Sequence, residues 1–197
     1  MRESELTSST QRDWGNPVVA KCEALLRDWL TEEGADRVDI DYQVIHRVAR
    51  VRVWLTQGGE RSSVYFPPEI GFELDDIRPS QVDLRRGAWL YSHFWMEAAE
   101  GVLHQEADWM REPVISARPI GGADAVAELE RYPRDPEWIP EWMATKAAAY
   151  HKEAERRERR RQRDRERRAK KKAEAAQAEG NGADEPSSGR VGRSGDE

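Results

Sequence analysis

Apolar residues recur along the first three quarters of the chain at two periods, and the change of period divides it into elements. Between Asn16 and Gly34, the residues Val18, Cys22, Leu25, Leu26, Trp29 and Leu30 return at helical spacing, while Lys21, Glu23, Arg27 and Asp28 take the other face. Pro17 stands at the first helical position, where a missing N–H costs nothing, and Gly34 follows the last apolar residue, so a first helix is predicted between them. The period then falls to two. Val38, Ile40, Tyr42 and Val44 alternate with polar residues, and Val51, Val53 and Leu55 do the same. Gln57-Gly58-Gly59-Glu60 predicts a tight turn, because paired glycines supply positive φ. Ser63, Tyr65 and Phe66 carry a third strand until Pro67-Pro68 stops it. These strands form a predicted antiparallel meander with one face packed and the other partly wet.

Ile70, Phe72, Leu74 and Ile77 predict a short helix over 69–80. After Gly87 the run 88–96 is rich in strand-forming aromatics, with Trp89, Tyr91, His93 and Trp95 on one face and Leu90, Phe94 and Met96 on the other. Glu100-Gly101 turns the chain, and 102–109 returns as the partner strand. A helix over 124–131 ends at Pro133, and Pro136 and Pro140 punctuate the aromatic segment 137–143, whose rings are placed to clamp that helix to the sheet. The fold class is therefore α+β: an antiparallel sheet of a three-strand meander plus a hairpin with flanking helices, followed by a long charged C-terminal helix.

From Ala144 onward there is no Leu, Ile, Phe or Trp, so this segment cannot offset its ordering entropy by packing. The divisions that follow are a disordered start over 1–15, a globular domain over 16–143, a charged solvated helix over 144–178 and a disordered tail over 179–197. Charge divides similarly. Residues 1–150 hold 17 Lys+Arg against 27 Asp+Glu, net -10; residues 151–172 hold 13 against 5, net +8; residues 173–197 hold 2 against 6, net -4. In the helix, Glu153–Arg157, Glu155–Arg159, Asp164–Arg168 and Glu166–Lys170 place the acid four residues before the base, the favourable order. With no apolar seam, it reads as a lone helix and not a coiled coil.

Candidate chemistry is sparse. The single cysteine, Cys22, excludes an internal disulfide and reads as a small core residue. The four histidines show no HExxH or repeated ligand spacing, and no phosphate-binding loop, dinucleotide fingerprint or GxSxG is present. Asp75-Asp76, Asp108 with Glu112, and Asp135 with Glu137 are acid pairs in loops or on exposed faces, an environment that does not separate their pKa values for acid–base work. No catalytic residue, metal ligand or cofactor is assigned, and the expectation is a protein that is not an enzyme. No apolar run approaches the roughly 20 residues that span a bilayer, and the polar first residues form no leader, so the expected location is the cytoplasm, away from membranes.

Eight tryptophans in so small a domain point to core filling or to interface anchoring. The Trp89–Tyr91–His93–Trp95 face is either covered by the fold or kept for a partner. The basic helix offers Arg156, Arg157, Arg160, Arg161, Arg167 and Arg168 as weak, non-specific nucleic-acid contacts, although acids interleave with them and no aromatic beyond Tyr150 is there to stack on bases.

Three segments of the second half, Arg86-Gly87-Ala88-Trp89-Leu90-Tyr91, Ala107-Asp108-Trp109-Met110-Arg111-Glu112-Pro113 and the stretch 129–143 that closes on Ile139-Pro140-Glu141-Trp142-Met143, resemble YezG-like immunity proteins, the antitoxins of bacterial polymorphic toxin systems. Ala88 stands where a Thr is expected, the acidic turn carries Trp109, and the charged tail has no counterpart there. The resemblance implies a non-catalytic protein that binds and inhibits a cognate toxin domain, a nuclease being one such target. The acidic domain suits a basic partner, and Asp75, Asp76, Trp89, Tyr91, Asp108, Trp109 and Glu112 are the candidate partner contacts. The competing reading is a nucleic-acid-associated accessory or adaptor protein acting through the Arg-rich helix.

Overall fold

Asn16 opens helix α1 (Pro17–Glu33), its side-chain oxygen accepting from the Val18 N–H at 3.0 Å, and Gly34 closes it in the left-handed conformation at φ 61°. A computed structural model describes this helix within residues 15–115 and 119–181, with side chains of the last helix as far as Glu174. The ends predicted to be disordered lie outside the described residues, apart from Gly15 and 179–181. Strands β1 (Arg37–Ile45), β2 (Val48–Gln57) and β3 (Glu60–Val64) follow, then α2 (Pro68–Ser80), β4 (Tyr91–Glu97), β5 (His104–Asp108), α3 (Gly122–Arg131), one turn of 3-10 helix (Pro136–Trp138) and α4 (Glu141–Asn181). The chain divides into two units at Tyr150.

The meander and the hairpin join into one antiparallel sheet of five strands, ordered β3-β2-β1-β4-β5. Its period-two alternation decides what is buried. Val38, Ile40, Tyr42 and Val44 of β1, Val53 and Leu55 of β2, and Phe94 and Met96 of β4 face Cys22, Leu26, Trp29 and Leu30 of α1 and Ile70, Leu74 and Ile77 of α2. Burying these side chains at about 1.5–3 kcal/mol each is the main stabilising term of the domain. A second, smaller core joins Ile45 and Leu90 to Ile120, Ala125, Met143 and Ala147. It fastens α3 and the first turns of α4 at one end of the opposite sheet face. Ala147 is buried there, so α4 serves the core one turn past Met143.

Several expectations need correction. In α2 the buried apolar residues are Ile70, Leu74 and Ile77, at i, i+4 and i+7, with Arg78 buried beside them, and Phe72 falls off that face and is 68% exposed. Strand β3 stops at Val64, leaving Tyr65 fully exposed. The largest change is at 88–90. Ala88, Trp89 and Leu90 precede β4 in a bend, because two arginines claim the first two carbonyls: the Ala88 oxygen accepts from Arg134 at 2.6 Å and the Trp89 oxygen from Arg78 Nε at 2.7 Å, while the Leu90 oxygen still accepts from the Val44 N–H of β1 at 3.0 Å. The bend reverses the parity. Trp89 is fully buried on the helix-covered face, edge-on to Tyr42 at 5.5 Å and to Phe94 at 6.0 Å, and Leu90 turns to the second core.

From His151 to Glu174 every residue of α4 is exposed. Glu153–Arg157 and Glu155–Arg159 pair as predicted, at 3.2 and 3.7 Å. Among the described residues Asp164–Arg168 and Glu166–Lys170 do not: Lys170 pairs forward with Glu174, and Glu166 accepts from Gln162. No helix among the described residues is long and apolar enough to cross a membrane.

Candidate functional site

Residues of opposite parity in the same strands form the other sheet face. Register places Ser63, Trp54, Asp39, Trp95 and His104 in one row across all five strands, and Arg52, Asp41, His93 and Glu106 in the next row from β2 to β5. Three aromatic rings of β4 and β5, two from the first row and His93 from the second, stack together. Trp95 lies between His93, at 5.3 Å and 23°, and His104, at 5.2 Å and 12°. The His93 imidazole faces two carboxylates, with Nδ1 3.0 Å from Asp41 and Nε2 3.4 Å from Asp39. Tyr91 donates its hydroxyl to Asp41 at 3.1 Å and lies under the Arg111 guanidinium, 4.6 Å from the ring centre. On β2, Trp54 lies under Arg61 at 4.5 Å.

Electrostatics divides this face. Arg37 forks onto Asp39 at 2.7 and 2.8 Å and also pairs with Glu97. Burial works to raise the Asp39 carboxyl, but the Arg37 hydrogen bonds and charge outweigh it, and the group lies below its ordinary value. Burial, with Asp41 beside it, raises the Tyr91 hydroxyl. Glu106 on β5 and Arg52 on β2 are exposed and make no side-chain ion pair among the described residues. Acids therefore gather over β4 and β5, where Glu97, Glu106 and Asp108 face outward, and bases over β2 and β3, where Arg50, Arg52 and Arg61 do.

No family model matches this chain, and no curated protein matches it. What its surface can do is therefore read from its own residues. Of the sequence-predicted contacts, Tyr91 and Asp108 are cross-strand partners on the uncovered face. Asp108 caps the following turn, accepting from the N–H groups of Met110 and Arg111 at 2.7 and 3.0 Å. Trp109 donates to the Gly87 carbonyl at 3.2 Å and carries Arg86 over its ring at 4.1 Å, with Trp138 on the other side of that cation at 5.5 Å. Glu112 pairs with Lys146. Trp142 bonds Met110 and packs on the second core, so one ring of the closing segment clamps as expected and Trp138 instead holds Arg86. Trp89 must be removed from the contacts, because the bend before β4 buries it completely. Asp75 and Asp76 are exposed on α2, on the helix side of the sheet, where Tyr42 donates to Asp75. They border a cleft of about 230 Å³ with His46, Arg47, Arg131 and Tyr132, apart from the aromatic face.

Beneath that cleft is a buried network that the sequence reading missed. Glu128, fully buried, accepts from Arg78 at 2.5 Å and from the His46 backbone N–H at 2.6 Å, and lies 3.6 Å from Arg134. Burial lowers the Arg134 guanidinium below its ordinary value despite Glu128. Through its bonds to Ala88, Trp89 and Trp109, the network ties α2 and α3 to the bend before β4. Cys22, also fully buried, has its thiol pushed up to about 12 by burial and by Glu73 and Glu23, which suits a core residue.

Proposed function

We propose that this protein acts without catalysis, by docking onto a cognate toxin domain through the uncovered sheet face and inhibiting it, as an immunity protein of the YezG-like kind would. The observation that carries the reading is the Trp95 ring held between His93 and His104 on a partly exposed sheet surface, beside an exposed Glu106 that makes no ion pair among the described residues. Rigid aromatic rings with a polar rim are the usual anchors of a protein interface, since they bury area at low entropic cost.

The partner is a protein domain with a basic patch that meets the β4–β5 side. Its chemistry follows from charge: residues 1–150 carry 17 bases against 27 acids. Such a field steers association with a basic surface, while the ring contacts set the dissociation rate. The same complementarity suits an inhibitor of a nuclease, whose active site must itself attract phosphates. Location in the cytoplasm, where such a toxin would act, is part of the same proposal.

Co-expression with the product of the adjacent open reading frame tests it. Wild-type chain is expected to protect cells and to co-purify with that product, and the double change Trp95→Ala, Glu106→Lys to lose both while unfolding at an unchanged urea midpoint. Protection by the double variant equal to that of the wild type would refute the face; absence of both protection and co-purification would refute the function.

A further inference from the structure

The Arg-rich part of α4 is a strongly charged surface that toxin docking leaves unused, and its charges are less mixed around the helix than along the sequence. At 3.6 residues per turn, Lys152, Arg156, Arg160, Arg163, Arg167 and Lys170 fall within about 80° of arc. No acid from 152 to 170 shares that arc. Glu155, Glu158, Gln162, Glu166 and Ala169 occupy another arc of about 80°, and no base shares theirs. The interleaved sequence thus becomes a basic row and a separate acidic row, with Glu153 and Asp164 just beyond one edge of the basic row. All of these side chains from 152 to 170 are exposed. Off the row, Arg157, Arg159 and Arg161 take Glu153, Glu155 and Glu158. On the row, Arg156 reaches Glu153 at 3.9 Å and Lys170 reaches Glu174 at 3.8 Å, while among the described residues Arg160, Arg163 and Arg167 make no ion pair.

We propose that this row binds the phosphate backbone of duplex nucleic acid. Six cations on one line, spaced about 4.5–6 Å apart, extend over about 27 Å of axis. A helix of about 10–12 Å diameter enters a B-form major groove about 12 Å wide, with the acidic row turned to solvent. The chemistry argues against other anionic surfaces. A membrane-surface helix needs an apolar face to insert, and this segment has no Leu, Ile, Phe or Trp. Single strands are held by stacking on aromatic rings, and none follows Tyr150. No Asn, and only Gln162 on the acidic row, is present between 152 and 170, so the row carries no amide to read adenine. This inference concerns the helix alone and is independent of toxin docking; duplex binding and co-purification are separate readouts.

The test is fluorescence anisotropy of the full chain on a labelled mixed-sequence duplex across salt. With five phosphates engaged, log K is expected to fall with log salt at a slope of about -4.5, a loss of about 500-fold between about 50 and 200 mM. Changing Arg160, Arg163 and Arg167 to Gln, which keeps helix propensity, is expected to make the slope shallower by about 2.7. Changing the same three to Lys is expected to keep it. The charge-matched control, Arg157, Arg161 and Arg165 to Gln, is expected to shift it by less than about 1. Equal effects of the two Gln triples would overturn the row. Duplex binding that is absent, or weaker than binding to vesicles containing phosphatidylserine or to polyglutamate, would overturn the nucleic-acid assignment.

Discussion

Replacing Glu128 with Gln removes the one carboxylate that, among the described residues, lies between the buried Arg78 and Arg134 guanidinium groups, while keeping the side chain's shape. Glu128 and the Arg134 side chain are fully buried and the Arg78 side chain is 4% exposed, so water cannot take the counterion's place. Breaking a buried pair by deleting one partner costs about 3–5 kcal/mol, because the remaining charge is stranded. Domains of this size have about 5–15 kcal/mol in all. The loss is therefore a large fraction of the total, and at about 4 °C per kcal/mol the melting temperature is expected to fall by about 12–20 °C. Neither arginine can escape by losing its proton near neutral pH, and each also binds backbone carbonyls of the bend, so the damage should reach Trp89. Urea unfolding followed by tryptophan fluorescence reads both effects, since Trp89 lies 5.9 Å from the Arg78 guanidinium. The exposed Arg85–Glu137 pair is the control, and Glu137→Gln is expected to leave the midpoint unchanged. A cost for Glu128→Gln below about 1 kcal/mol would refute the buried-triad account.

Gly87→Ala tests the start of the bend. Its φ of +69° is left-handed, and an added Cβ would lie 2.9 Å from the Tyr132 carbonyl oxygen and from Arg134 Cγ, so the change is expected to cost about 2–4 kcal/mol in the same titration. A cost under about 1 kcal/mol would show that the chain relaxes there. Asp39 supplies a pH test. Its folded carboxyl lies below the unfolded value of about 3.9, so its contribution is fully present above that value and is lost as pH falls through the folded one. Asp39→Asn is therefore expected to be less stable at pH 7 and to show a flatter decline between about pH 5 and 2; parallel declines would refute the Arg37–Asp39 coupling.

What could be read from sequence was what local period and turn chemistry dictate. The face of α1, its Asn16 and Gly34 ends, the alternation of β1 and the Gly58-Gly59 turn all follow from neighbours a few residues away. Where the reading failed, distant groups decided. Period two through 88–96 put Trp89 beside Tyr91 and Trp95, but arginines 78 and 134 hold the carbonyls at 88 and 89 and break the alternation. Within the single sheet predicted, the β1–β4 pairing that joins meander to hairpin is long-range, and local pattern does not give its register. Asp39, Asp41 and His104 had the right parity for the open face, yet only register shows them converging on His93 and Trp95. Nothing in the local pattern singles out Arg78, Glu128 and Arg134, which come together only through the packing of α2 and α3.

The make-up of the uncovered face and of the sheet edges opposes non-specific association. Each large ring on the face is matched by a polar or cationic group: Trp54 by Arg61, Tyr91 by Arg111, Trp95 by two histidines. The edges are guarded separately. Strands β3 and β5 have five residues each, Glu60 and Arg61 open the first, Pro67 and Pro68 follow it, and Glu106 and Asp108 lie in the second. Adding a strand from another chain at either edge is thus disfavoured by length and charge, which leaves the face as the place where binding gains most. A partner docking there must replace cation–ring contacts with ones at least as good. That demand favours a partner whose own charge is divided, with acids toward Arg52 and Arg61 and bases toward Glu106, over one that is merely basic.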